Sequence, residues 1–141
     1  MSANPTTRRA ITSVRVSASV RSIILEWGVS RSSLGSLAPE GSSHLITLRY
    51  HATPDTPERW SLIDPARKLE RVLDMKHRTT IPEIRVSGGC VLVRSSSVYA
   101  FVSIDKKEPA LLYARTGIFG SLGIAGGRYQ PLGVRVIMRD D

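Results

Sequence analysis

The sequence has few of the residues from which catalytic and metal sites are built. Its 141 residues include one cysteine and three histidines. The single cysteine, Cys90, excludes an internal disulfide and a multi-cysteine zinc site. Its position in an apolar run is typical of a small buried side chain. The histidines have neither metal-ligand nor triad spacing. We therefore expect a protein that is not an enzyme and that has no metal, no cofactor and no small-molecule substrate.

Long apolar runs are also missing. No segment approaches the ~18 uncharged apolar residues that a membrane-spanning helix needs. Arg8 and Arg9 are followed by a segment, residues 11–20, in which polar and apolar residues alternate, so no apolar signal core is present. These features predict a cytoplasmic protein, with a membrane surface or a virion as the alternatives.

Acidic residues are outnumbered by basic ones. The net charge is +8 and the isoelectric point is near 10.4. Arginine supplies 16 of the 20 basic residues, and its guanidinium binds phosphate in a bidentate manner and stacks on aromatic rings. The charge therefore indicates a polyanionic partner, either nucleic acid or an anionic membrane surface.

The basic charge is concentrated near the start of the chain, where residues 1–35 contain five arginines and one acid, Glu26. These arginines are the predicted polyanion-binding residues: Arg8, Arg9, Arg15, Arg21 and Arg31. Binding of this kind would be directed at the nucleic-acid backbone and would be nonspecific in sequence.

Residues 83–115 predict an antiparallel meander of four strands. The first two strands are separated by Gly88-Gly89, a dipeptide typical of tight hairpin turns because glycine adopts a positive φ without strain. In the third strand Tyr99 and Phe101 share one face, and we expect this aromatic face to contact either a helix or a partner.

Further strands are predicted on both sides of the meander. In the N-terminal strand the apolar positions change from even to odd numbers, which predicts a bulge near Arg21-Ser22. Residues 44–51 form another strand with Ile46, Leu48 and Tyr50 on its inner face, and alternation over 132–138 predicts a closing strand at an edge of the sheet.

One helix is predicted. Asp64 and Pro65 match the preferred N-cap and first helical residue, and apolar residues follow at the helical period. The resulting fold class is α+β: a single antiparallel sheet, made of the meander at 83–115 plus N- and C-terminal strands, with one main helix near 65–77. Residues 1–10 are predicted to be a mobile basic arm, and residues 11–141 a single domain.

Residues 116–133 are rich in glycine and uncharged as far as Arg128. Three interpretations remain open: a loop packed on the sheet, a loop that contacts a membrane or a second copy of the chain, and a phosphate-binding loop. The residues predicted for an oligomer or membrane contact are Ile118, Phe119, Leu122 and Ile124.

Together these features favour a non-enzymatic basic assembly protein that forms a homo-oligomer and contacts RNA or an anionic membrane. Its size and composition are similar to those of small viral matrix and capsid-associated proteins. One alternative is a regulatory module that binds nucleic acid without sequence specificity. The second is a small enzyme whose active site is not visible in the sequence.

Overall fold

The protein is described here by a computed structural model that covers residues 19–42, 44–74, 80–116, 127–128 and 133–139. Strands account for most of these residues. The elements are β1 (Ser19–Ser30), α1 (Arg31–Leu34), β2 (Leu45–Thr53), β3 (Thr56–Asp64), β4 (Leu69–Val72), β5 (Glu83–Ser87), β6 (Cys90–Arg94), β7 (Val98–Ser103), β8 (Ala110–Thr116), β9 (Gly127–Arg128) and β10 (Gly133–Arg139).

The strands form two antiparallel sheets. Sheet A has the order β10-β1-β2-β3-β4, and sheet B has the order β5-β6-β7-β8-β9. The prediction of a single sheet is therefore wrong. The alternation within a strand specifies which side chains point inward, but it does not specify which sheet the strand joins, because that depends on partners far away in sequence.

The predicted meander is confirmed as β5 to β8. Its first turn places Gly88 and Gly89 at φ values of 56° and 77°, the positive range that the Gly-Gly pair predicted. The predicted bulge in the N-terminal strand is also confirmed, because the pairing of β1 with β10 shifts register between Val20 and Ser22. The closing strand is β10, and it pairs with β1 at one edge of sheet A.

The predicted helix near 65–77 is wrong over the part of it that the structure describes. Residues 65–68 form a turn and Leu69–Val72 form β4, which pairs with the end of β3. The Asp64 carboxylate does accept a hydrogen bond from the Arg67 backbone N–H at 3.4 Å, as an N-cap would. Here that bond closes a hairpin turn in which Lys68 has a φ of 54°. The only described α-helix is the four-residue α1.

The inner faces of the two sheets share one buried core. Its largest side chains come from sheet A and form an aromatic group: Trp27 and Trp60 are stacked with centroids 5.8 Å apart, and Tyr50 meets Trp60 edge-on at 4.9 Å. Sheet B contributes smaller side chains, and the fully buried ones among them are Val91, Val93, Val98, Ala100 and Val102. Each sheet therefore keeps its second face outside this core. Within the described residues, no helix is long and apolar enough to cross a membrane.

Candidate functional site

The predicted polyanion-binding arginines are only partly described. Arg21 lies exposed at the β1 bulge, and Arg31 is the exposed first residue of α1. Ten residues separate them, which is roughly 33 Å along a strand, so the structure does not bring them together. Arg8, Arg9 and Arg15 lie outside the described residues, as do Ile118, Phe119, Leu122 and Ile124 of the predicted oligomer or membrane contact.

The outer face of sheet B combines aromatic and arginine side chains, which the predicted N-terminal arginines do not. Two rows of paired residues run across its strands. In the first row Arg85, Leu92, Phe101 and Tyr113 are cross-strand neighbours, and in the second Glu83, Arg94, Tyr99 and Arg115 are. Cross-strand partners share a face of the sheet. We name this surface, with its three aromatic and three arginine side chains, the aromatic–arginine face: Arg85, Arg94, Tyr99, Phe101, Tyr113 and Arg115.

The aromatic side chains form one connected group. The Tyr99 ring lies edge-on to Phe101 with centroids 5.4 Å apart, and edge-on to Tyr113 with centroids 6.0 Å apart. All three side chains remain partly exposed. Of the two contacts expected for Tyr99 and Phe101, a helix or a partner, the helix is wrong, because residues 65–72 form the turn and edge strand of the other sheet.

A bulge in β8 determines which side chains join this face. The pairing of β7 with β8 shifts register so that Val102 pairs with Leu111 and Phe101 pairs with Tyr113, which leaves Leu112 as the extra residue. Simple alternation would place Leu111, Tyr113 and Arg115 on the same side. Because of the bulge, Leu111 packs against the core while Tyr113 and Arg115 lie outside.

One carboxylate, that of Glu83, forms ion pairs with two of the three arginines. The Glu83 oxygens lie 2.6 Å from the guanidinium of Arg85 and 2.6 Å from that of Arg94. The hydrogen bond from Arg85 is the largest cause that lowers the pKa of Glu83; desolvation opposes it, and the hydrogen bond from Arg94 lowers the pKa further. Arg115 is exposed and has no ion pair within the described ranges. The face therefore carries three guanidinium groups against one carboxylate.

Sequence reasoning found part of this face and missed the rest. Alternation correctly placed Tyr99 and Phe101 on one side of their strand. It did not identify Tyr113 and Arg115 as their neighbours, since that depends on the bulge. Cys90 and Leu92 of β6 are half-buried on the same outer side.

A buried pair of polar side chains, Glu58 and Ser97, forms a hydrogen bond between the two sheets. Glu58 of β3 is 2% exposed, and its Oε1 accepts a hydrogen bond from the Ser97 hydroxyl at 2.5 Å. Ser97 belongs to the turn between β6 and β7 of sheet B. Burial, and next the Glu58 carboxylate, raise the pKa of the Tyr50 phenol well above its ordinary value of 10.0. This buried cluster links the sheets and does not open onto a surface.

The raised pKa of Tyr50 predicts a specific loss of stability in alkali. Between pH 10 and the folded-state pKa, the unfolded chain releases the phenolic proton while the folded chain keeps it. The free energy of unfolding therefore falls with rising pH, by up to about 1.4 kcal/mol per pH unit from this group alone. Tyr50→Phe should show a shallower decline in urea denaturation between pH 10 and 12. Equal slopes for both proteins would contradict this assignment.

Among the described residues no group of three or more histidine, cysteine, aspartate or glutamate side chains is arranged to hold a metal ion. Comparison of the chain with protein-family models, curated proteins and solved structures found no match.

Proposed function

We propose that this protein binds single-stranded nucleic acid through the aromatic–arginine face, without sequence specificity. The observation that carries the proposal is the row in which Arg94, Tyr99 and Arg115 are direct cross-strand neighbours beside the ring pair Phe101–Tyr113. Base-stacking rings flanked by cations are the two components that nonspecific single-strand binders combine.

Each component contributes a different part of the binding free energy. Arginine contacts to phosphate release counterions, which makes binding sensitive to salt. Stacking of a base on an aromatic ring contributes about 1–3 kcal/mol and depends little on base identity. Because double-stranded nucleic acid hides the faces of its bases, this surface suits a single strand.

Glu83 holds Arg85 and Arg94 in place on the sheet. Its two short contacts hold both guanidinium groups on the outer face of sheet B, which also carries the three aromatic rings. The pairing also offsets part of their charge, so Arg115 provides the uncompensated cation at this surface. The resulting local positive charge is modest, so we expect moderate affinity. Stacking of bases on the rings should contribute most of the binding free energy that does not depend on salt.

The proposal is tested by fluorescence anisotropy of a labelled oligouridylate across a salt series. The logarithm of the affinity should fall linearly with the logarithm of the salt concentration. Replacing Arg94 and Arg115 together with glutamine should reduce the slope by about 1.4, because each lost phosphate contact on a single strand accounts for ~0.7.

A matched control removes the same charge elsewhere. The guanidinium groups of Arg67 and Arg71 donate to the backbone carbonyls of Glu40 and Leu37, at the β4 edge of sheet A. The double variant R67Q/R71Q should therefore keep most of the salt dependence of binding. Equal losses in the two double variants would assign binding to net charge alone. An oligouridylate that does not bind, alongside tight binding to anionic vesicles, would replace the nucleic-acid proposal with a membrane one.

The broader assembly function predicted from composition remains a prediction. The described surface supports the polyanion contact of that prediction. The homo-oligomer contact depends on residues that the structure does not describe.

A further inference from the structure

The outer face of sheet A carries a second basic group, on the opposite side of the molecule from the aromatic–arginine face. Ile24 of β1 pairs with Arg135 of β10 on one side and with His51 of β2 on the other, and His51 pairs with Arg59 of β3. These four residues form a row across four strands and share one face of the sheet. Ile24 supplies only an aliphatic side chain between the polar members.

The contact between Arg59 and His51 determines the tautomer of the neutral imidazole. The Arg59 Nη2 lies 3.2 Å from the His51 Nδ1. A guanidinium can only donate, so Nδ1 accepts this bond and the neutral ring carries its proton on Nε2. Burial first, and then the charges of Arg59, Arg49 and Arg135, lower the pKa of His51, against a small opposing effect of Glu70. The polar members of the row therefore present hydrogen-bond donors only.

The two arginines of this row have no ion pair among the described residues. Arg49, the residue two positions before His51, pairs with Glu26 at 2.7 Å. Two guanidinium groups, from Arg59 and Arg135, and the N–H donor of His51 thus lie in one row on this face, with His51 between the two arginines in strand order.

We propose that Arg59, His51 and Arg135 form a binding site for a phosphate-class oxyanion, specifically the dianionic terminal phosphate of a phosphate monoester. The guanidinium geometry matches a tetrahedral oxyanion, and hydrogen bonds between charged partners are about twice as strong as neutral ones. The carboxylates of Glu26 and Glu70 border the row. Their negative charge disfavours an extended polyanion more than a single phosphate group.

Protonation of His51 raises the affinity of this site for an anion. An anion beside the imidazole favours its charged form. Once Nδ1 carries a proton it no longer accepts from Arg59, so the Arg59 guanidinium is released to the anion. Binding is therefore coupled to proton uptake, and affinity rises as the pH falls through the titration range of His51.

The first test uses sulfate, a tetrahedral dianion whose charge is constant over this range. We expect sulfate to bind about tenfold more tightly at pH 5 than at pH 8, as measured from the imidazole signals of His51 by NMR at constant ionic strength with chloride as the reference. Inorganic phosphate at pH 7.5 should shift the same signals.

Variants and ligands separate this site from general charge effects. The double variant R59Q/R135Q should lose the sulfate response, and the charge-matched variant R67Q/R71Q should keep it. A response equal to that of chloride, or one that persists in R59Q/R135Q, would overturn the proposal. Uridine 5′-monophosphate should compete with sulfate, whereas an oligouridylate without terminal phosphates should not. Stronger competition by that oligouridylate would overturn the monoester assignment and make sheet A a second nucleic-acid surface.

Discussion

Replacing Trp60 with alanine is expected to lower the free energy of unfolding by about 3–5 kcal/mol. Trp60 is 1% exposed at the centre of β3, and it contacts Trp27 by stacking and Tyr50 edge-on. Its removal leaves a cavity between two rings that β1 and β2 hold in place. Because small domains have a total stability of about 5–15 kcal/mol, this single change would remove a large share of it.

Urea denaturation followed by circular dichroism measures this effect. The adjacent substitution Arg59→Ala is the control, because Arg59 is exposed on the other face of the same strand, and its expected cost is within about 0.5 kcal/mol. The loss of unfolding free energy in Trp60→Phe should lie between the losses in Trp60→Ala and Arg59→Ala. A loss below about 1 kcal/mol for Trp60→Ala would show that the aromatic group does not form the centre of the core.

The largest functional effect is expected from the double substitution Tyr99→Ala and Phe101→Ala. Each ring stacks one base at about 1–3 kcal/mol, so the dissociation constant for oligouridylate should rise at least thirtyfold, which corresponds to about 2.0 kcal/mol. Both side chains lie on the outer face and not in the core cluster. The variant should therefore retain the fold, as checked by circular dichroism.

Two comparisons show whether stacking is the cause. Tyr99→Phe keeps a ring and should keep most of the affinity. Inorganic polyphosphate has charge but no bases, so it should compete equally well for the wild-type protein and the double variant. If polyphosphate binding falls in parallel with oligouridylate binding, the substitutions act through the fold or the arginines, and the stacking role is wrong.

Local patterns predicted the strands because their causes are local. The Gly88-Gly89 turn depends on the backbone freedom of two residues, and the β1 bulge follows from a change of phase between Val20 and Ser22. The helix prediction failed because the residues from Leu69 to Leu73 are also compatible with a strand, and hydrogen bonds to β3 determine the outcome. In β4, Leu69 and Val72 are 45% and 56% exposed, so the helical period there did not mark a buried face.

The candidate site was harder to predict than the strands. Its rows combine residues from β5 to β8, so their composition depends on pairing register as well as on alternation. Net charge led to the expectation of a polyanionic partner, but it directed attention to the N-terminal arginines. Arg94 and Arg115 stand out only when the sheet places both beside Tyr99.

The unpaired Leu112 gives β8 one residue more than its ladder requires. Loss of that codon would leave Tyr113 opposite Phe101 and Ala114 opposite Ala100, so the strand would become regular while its two faces stayed the same. Loss of a codon within β6, which pairs with β7 without a register shift, would instead move the following side chains to the opposite face. Related chains that differ in length within sheet B should therefore carry the difference at position 112.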